Sequence, residues 1–130
     1  TLTPGCHGST YGSNPLAMAV GNAVLDIMLR PGFFSHVADM GELLLDGLQA
    51  IAAEHAESIA DVRGRGLMIG VQMRVPARPV ADALREAGLL VAPAYGDVLR
   101  FVPPLIIQDY HIETALRMFR ETLESLRNTV

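Results

Sequence analysis

Apolar residues recur at helical spacing early in the chain, where Leu16, Val20, Val24 and Ile27 form one stripe, matching the 3.6-residue period of a helix. Asn14 supplies an N-cap, and Pro15 suits the first helical position, where its missing N–H costs nothing. A helix is therefore predicted to begin at Pro15, with Ala17 and Gly21 as a small-residue strip that another backbone can approach, and to stop at Arg30-Pro31-Gly32. A second helical pattern covers Phe34 to His55. It places Val37, Met40, Leu44, Leu48 and Ile51 on one face, with Asp39, Glu42, Asp46 and Gln49 largely off it. Gly41 and Gly47 are expected to weaken this helix by roughly 1 kcal/mol each relative to alanine if they are exposed.

From Ile59 the period changes to two. In "IADVRGRGLMIGVQMRV" Leu67, Ile69, Val71, Met73 and Val75 alternate with Met68, Gly70, Gln72 and Arg74, as on the two faces of a strand. Pro76 and Pro79 interrupt it, and a short helix follows with Val80, Leu84 and Ala87 on one side and Gly88 as its stop. "LLVAP" and "VLRFV" read as two strands paired in a hairpin around the turn Ala94-Tyr95-Gly96-Asp97. After Pro103-Pro104 comes the most regular helix, about Asp109 to Arg127, with Asp109 as N-cap and Ile112, Leu116, Phe119, Leu123 and Leu126 as a core-facing stripe. The order helix, helix, strand, strand, helix, strand, strand, helix predicts an α+β fold, helices packed on one face of a small, mainly antiparallel sheet.

Composition narrows the function. With 130 residues, half of them hydrophobic, the chain can bury one ordinary core. A net charge of −4 provides no basic field for phosphodiester backbones, so no nucleic-acid partner is expected. All ten basic residues are arginine and none is lysine, which removes any Schiff base through a side-chain amine of this chain. The single cysteine, Cys6, and the lack of a Cys/His cluster with zinc-ligand spacing point to a reduced, metal-free cytoplasmic protein in which Cys6 packs as a small residue. No apolar run reaches membrane-spanning length and no leader pattern opens the chain, so no membrane partner is expected. Starting at Thr1 in mid-motif, the chain reads as a piece of something longer.

Two features carry chemistry. "HGSTYGSN" combines the hydroxyls of Ser9, Thr10 and Ser13 with Gly8 and Gly12, just before a helix N-terminus; these are the parts of an anion site, although a glycine-rich loop can equally serve only as a turn. It matches neither the nucleotide P-loop nor the dinucleotide fingerprint. In "DVLRFVPP", alternation puts Arg100 between Val98 and Val102 on one strand face. Buried there, a guanidinium requires a carboxylate; an internal ion pair and an edge-strand arginine reaching solvent are the structural alternatives to ligand binding. Arg63 and Arg65 are read as strand or bulge residues, His36, His55 and His111 as solvated or capping, and His7 as shaping the loop. Tyr11 and Tyr95 are either packing aromatics or the lining of a substrate entrance.

Read together, "PGCHGSTYGSNPLAMAVGNAVLDIM", "VRGRGLMIGVQM" and "VLRFVPPLII" closely resemble the C-terminal third of the class III aminotransferases, pyridoxal 5'-phosphate enzymes of fold type I, and among them the acetylornithine and ornithine types most. The resemblance implies a cofactor-phosphate loop and connecting helix over residues 1–30, then the family's small C-terminal domain over residues 31–130. It implies that Thr10, helped by Ser9, binds the phosphate of the neighbouring subunit's cofactor in a homodimer. It implies also that Arg100 binds the substrate α-carboxylate, and can pair with a large-domain glutamate when the site is otherwise engaged. The expected reaction moves an amino group between N-acetylornithine and 2-oxoglutarate, in arginine biosynthesis. Ornithine, succinylornithine or 4-aminobutyrate are alternative donors, and a non-catalytic dimerisation module is the alternative of another class. The family's Schiff-base lysine has no counterpart among these residues, so the piece alone is expected to be inactive, with no catalytic residue and no metal ligand of its own.

Overall fold

The computed structural model describes residues 8–128, and the chain forms two compact units, Thr1–Phe34 and Ser35–Val130. Cys6 and His7 lie outside the described residues.

In the first unit, helix α1 spans Pro15–Met28 and starts as its sequence requires. The Asn14 Oδ1 accepts from the Ala17 N–H at 2.9 Å, while its Nδ2 donates to the Tyr11 carbonyl at 2.6 Å. The helix ends at Leu29, and Gly32 adopts φ +87°, a left-handed conformation open to glycine, before helix α2 (Phe33–Glu54) begins. No residue of α1 is buried.

The second unit holds a four-stranded sheet of β1 (Ile59–Arg65), β2 (Met68–Met73), β3 (Ala92–Ala94) and β4 (Val98–Phe101), in the order β1-β2-β4-β3 with every pairing antiparallel. The predicted run from Ile59 folds as a hairpin that turns at Gly66 (φ +53°), with its one register shift between Ile59 and Asp61, away from Arg63 and Arg65. Helices α3 (Ala77–Glu86) and α4 (Asp109–Arg127) join α2 in covering one face. Leu44, Leu48 and Ile51 of α2, Val80 and Leu84 of α3, and Ile112, Phe119 and Leu123 of α4 bury themselves against Val62, Ile69, Val71, Leu99 and Phe101 of the sheet. Phe119 and Phe101 meet edge to face with centroids 5.4 Å apart, the arrangement favoured by the ring quadrupoles. The fold is thus α+β, with helices on one side of the sheet and the other side open.

Tertiary contacts redraw several local expectations. Gln108, not Asp109, is the N-cap of α4; its N–H donates to His111 Nδ1 at 3.2 Å, and Asp109 is the first helical residue. Ala87 is exposed, the buried positions of α3 being Ala77, Val80, Ala81 and Leu84, and Val75 lies beyond the end of β2. His55 is buried at the C-terminal end of α2 rather than solvated. The α3 N-terminus, preceded by Pro76 with no side chain able to cap, takes its cap from a distance: Asp97 in the β3–β4 turn (φ +58°) accepts from the Ala77 N–H at 3.0 Å. No single helix among the described residues is long and apolar enough to cross a membrane.

One ion pair joins α2 to α4. Arg120 Nε donates to Glu54 Oε2 at 2.7 Å and its Nη2 to Oε1 at 3.3 Å. That hydrogen-bonded guanidinium holds the Glu54 carboxyl below its ordinary 4.5. A carboxyl with a depressed folded-state pKa adds stability that is complete above the unfolded value and is lost as pH falls through the folded one. Glu54→Gln is therefore expected to lower the melting temperature slightly near neutrality, because both partners are solvent-accessible and screened. The difference from the unsubstituted chain should close as pH drops below 4.5. Thermal unfolding followed by circular dichroism at a series of pH values checks this; a gap that persists in acid would show that the pair is not its source.

Candidate functional site

The loop before α1 leaves its hydroxyls available. Ser9 and Thr10 are exposed, and neither hydroxyl has a partner among the described residues. The loop closes on itself where the Gly12 N–H donates to the Ser9 carbonyl at 3.4 Å; a Cβ at Gly12 would sit 3.0 Å from the Ser9 Cβ, so glycine permits this approach. Open space surrounds the Gly8 Cα where a side chain would start. The helix end contributes less than the bare sequence implies, because Asn14 already occupies the Ala17 N–H. What the loop offers an anion is therefore its hydroxyls and loop backbone N–H groups. Tyr11 and Tyr95 are both largely exposed.

Arg100 lies on the open face of the sheet. One cross-strand row runs Arg63, Gly70, Arg100, Ala92 from β1 to β3. With strands about 4.8 Å apart, the backbones of the two arginines are about 10 Å from each other. The cross-strand neighbours of Arg100 are glycine and alanine, and a Cβ at Gly70 would lie 3.2 Å from Val98 Cγ1. Arg63 is committed: its Nη1 donates to Asp61 Oδ2 at 2.8 Å and its Nη2 to Gln72 Oε1 at 3.5 Å. Arg100 has no anionic partner among the described residues. The expectation of a buried guanidinium between Val98 and Val102 is corrected on two counts. Arg100 is exposed, so it does reach solvent, but it does so from an interior strand rather than an edge, and it makes no internal ion pair among the described residues.

Arg100 also lines a cleft of ≈ 570 Å³ walled mainly by apolar side chains, among them Leu44, Leu90, Phe101, Val102 and Ile107, with His111 the other polar side chain in its lining. Arg65, likewise without an anionic partner among the described residues, does not line it. A second hollow of ≈ 500 Å³ between α3 and α4 contains Arg117, but that cation already pairs with Glu121 at 3.1 Å on the same helix. Of the arginines lining these two hollows, Arg100 is the one without an anionic partner among the described residues, and its fork suits a carboxylate held through two parallel hydrogen bonds.

Sequence reasoning missed His36. Half-buried on α2, its Nε2 lies 2.8 Å from the Ile107 carbonyl, 71 residues away. Nothing local in "FFSHVAD" signals that contact.

The family model described as Aminotransferase class-III matches residues 1–123. The chain is 48% identical over 115 residues to Acetylornithine aminotransferase 1 of Bradyrhizobium diazoefficiens, covering 88% of this chain and 28% of that protein. It is 44% identical over 129 residues to the acetylornithine aminotransferase of Mesorhizobium japonicum, covering 99% and 32% respectively. Among solved structures it resembles N-acetylornithine aminotransferase from Stenotrophomonas maltophilia, with TM-score 0.83, 32% identity, and coverage of 92% of this chain and 34% of the other. The ornithine aminotransferase of Toxoplasma gondii gives TM-score 0.83 at 31% identity, covering 99% and 31%. The chain spans 28% and 32% of the length of these two curated relatives.

Proposed function

Because this chain belongs to the class III aminotransferases, a family that depends on pyridoxal 5'-phosphate, we propose that it serves a transaminase by providing a carboxylate clamp and a cofactor-phosphate loop. The observation that carries this is Arg100: a cation with no anionic partner among the described residues, exposed between glycine and alanine, and part of the lining of an apolar cleft. Its guanidinium receives the α-carboxylate of the amino acid or 2-oxo acid in bidentate fashion and sets its orientation. The hydroxyls of Ser9 and Thr10 donate to phosphate oxygens, and the open space at Gly8 lets the loop approach them. Both residues are exposed, and neither hydroxyl has a partner among the described residues, which fits that group.

When bound, pyridoxal phosphate supplies the electron sink through which an amino group passes between an amino acid and a 2-oxo acid. The chain contains no lysine, so the amine that anchors the cofactor comes from outside these residues and the piece by itself does not transaminate. The acetylornithine aminotransferase names of the two relatives above support N-acetylornithine as the donor in this reading; 2-oxoglutarate as acceptor and a place in arginine biosynthesis are proposed with it. A homodimer in the cytoplasm, with Ser9 and Thr10 acting across the subunit interface, completes the reading and would account for a phosphate loop that lacks a lysine of its own.

Thr10→Ala in the full-length enzyme tests the loop assignment. Losing one hydroxyl–phosphate hydrogen bond, worth about 1 kcal/mol net, should weaken cofactor binding about fivefold, with KM for the amino acid unchanged. Cofactor titration of the apoenzyme reads this directly, and an unaltered dissociation constant would remove Thr10 from the site.

A further inference from the structure

The segment that follows β4 is poor in its own anchors. Pro103 and Pro104 offer no N–H, so strand pairing cannot continue through them. Two of the hydrogen bonds that hold the segment are local: the Ile107 N–H donates to the Pro104 carbonyl at 3.0 Å, and Gln108 Nε2 donates to the Ile106 carbonyl at 3.0 Å. A third comes from another element, where His36 of α2 reaches the Ile107 carbonyl at 2.8 Å. A carbonyl only accepts, so in this contact His36 Nε2 carries a proton and donates it. The same segment forms one wall of the Arg100 cleft through Val102, Pro103, Pro104 and Ile107.

We propose that His36 is a positioning residue for carboxylate binding: its hydrogen bond to the Ile107 carbonyl fixes the wall beside Arg100, and thereby where the guanidinium meets its ligand. The proposal rests on the reading of Arg100 given above. His36 touches neither substrate nor cofactor in this scheme and acts only through the 102–107 segment. A misplacement of about 1 Å in a binding group is enough to weaken a productive pose substantially, and a wall released from α2 has that freedom.

The test uses the full-length enzyme with His36→Phe, which keeps a planar ring but has no donor, His36→Ala as a second non-donor, and His36→Gln, whose amide N–H has similar reach. Both non-donors are expected to raise KM for amino acid and 2-oxo acid about three- to tenfold, with kcat within about twofold, and to speed amide hydrogen exchange at Val102 and Leu105–Gln108. His36→Gln should restore both. Unchanged exchange in the non-donors, or a glutamine variant as impaired as they are, would assign any effect to ring packing and overturn the proposal. Arg100→Ala measured alongside separates the two readings. If it raises KM and the non-donor variants do not, only the His36 proposal fails; if it leaves KM unchanged, the Arg100 reading fails first.

Discussion

Arg100→Ala in the full-length enzyme is expected to raise KM for both the amino acid and the 2-oxo acid about 100-fold. The figure follows from losing two charge-assisted hydrogen bonds worth about 1.5 kcal/mol each, at 1.4 kcal/mol per factor of ten. The substitution leaves no carboxylate stranded within the described part of this chain, because Arg100 has no anionic partner there. Stability should therefore change little, and the loss should be confined to substrates that bear the carboxylate. Arg100→Lys should recover only part of it, since a single ammonium cannot reproduce the planar fork. Steady-state kinetics with varied concentrations of each substrate, beside cofactor titration, separates this from the loop: a fall in cofactor affinity with unchanged KM would place Arg100 in the wrong role.

The second large effect concerns stability, and its sign is opposite to the one helix propensity predicts. Taken as an exposed helical glycine, Gly41 should be improved by alanine by roughly 1 kcal/mol. In the fold Gly41 is buried where α2 passes the β1–β2 turn, and a Cβ there would lie 2.6 Å from both the Cα and the carbonyl carbon of Gly66. Neither atom is the movable end of a side chain, and Gly66 itself is held at φ +53°. Gly41→Ala should therefore destabilise by about 1 to 3 kcal/mol, the usual range for overpacking, lowering the melting temperature by roughly 5–15 °C. Gly47→Ala is the control. Its Cβ would meet the end of Leu116, which can change rotamer, so a smaller loss is expected. A gain in melting temperature for Gly41→Ala, measured by calorimetry, would refute the close approach.

Most of the architecture was legible in the sequence because its signals are local. Asn14-Pro15 opened α1 where capping chemistry places it, and the four-three spacing from Ile112 to Leu126 marked the face of α4 that packs into the core. The Tyr95-Gly96-Asp97 turn was visible from composition, as was the pairing of the strands on either side. The resemblance placed interest on Ser9, Thr10 and Arg100, and the fold shows all three side chains exposed, with the two hydroxyls unpartnered among the described residues. Errors arose where one segment borrows from another distant in sequence. Asp97 caps α3 across 20 residues, and His36 holds a segment 71 residues away.

Period and capping chemistry act within a few residues, so the type, order and approximate limits of the helices and strands followed from the chain alone, and so did the absence of lysine. That Arg63 is engaged while Arg100 has no anionic partner among the described residues was decided only by the packed fold. The strand order β1-β2-β4-β3 brings Arg100 to an interior strand between Gly70 and Ala92, and engages Arg63 with Asp61 and Gln72. Availability of a charge depends on neighbours that converge from four separate segments, and no local pattern encodes that convergence.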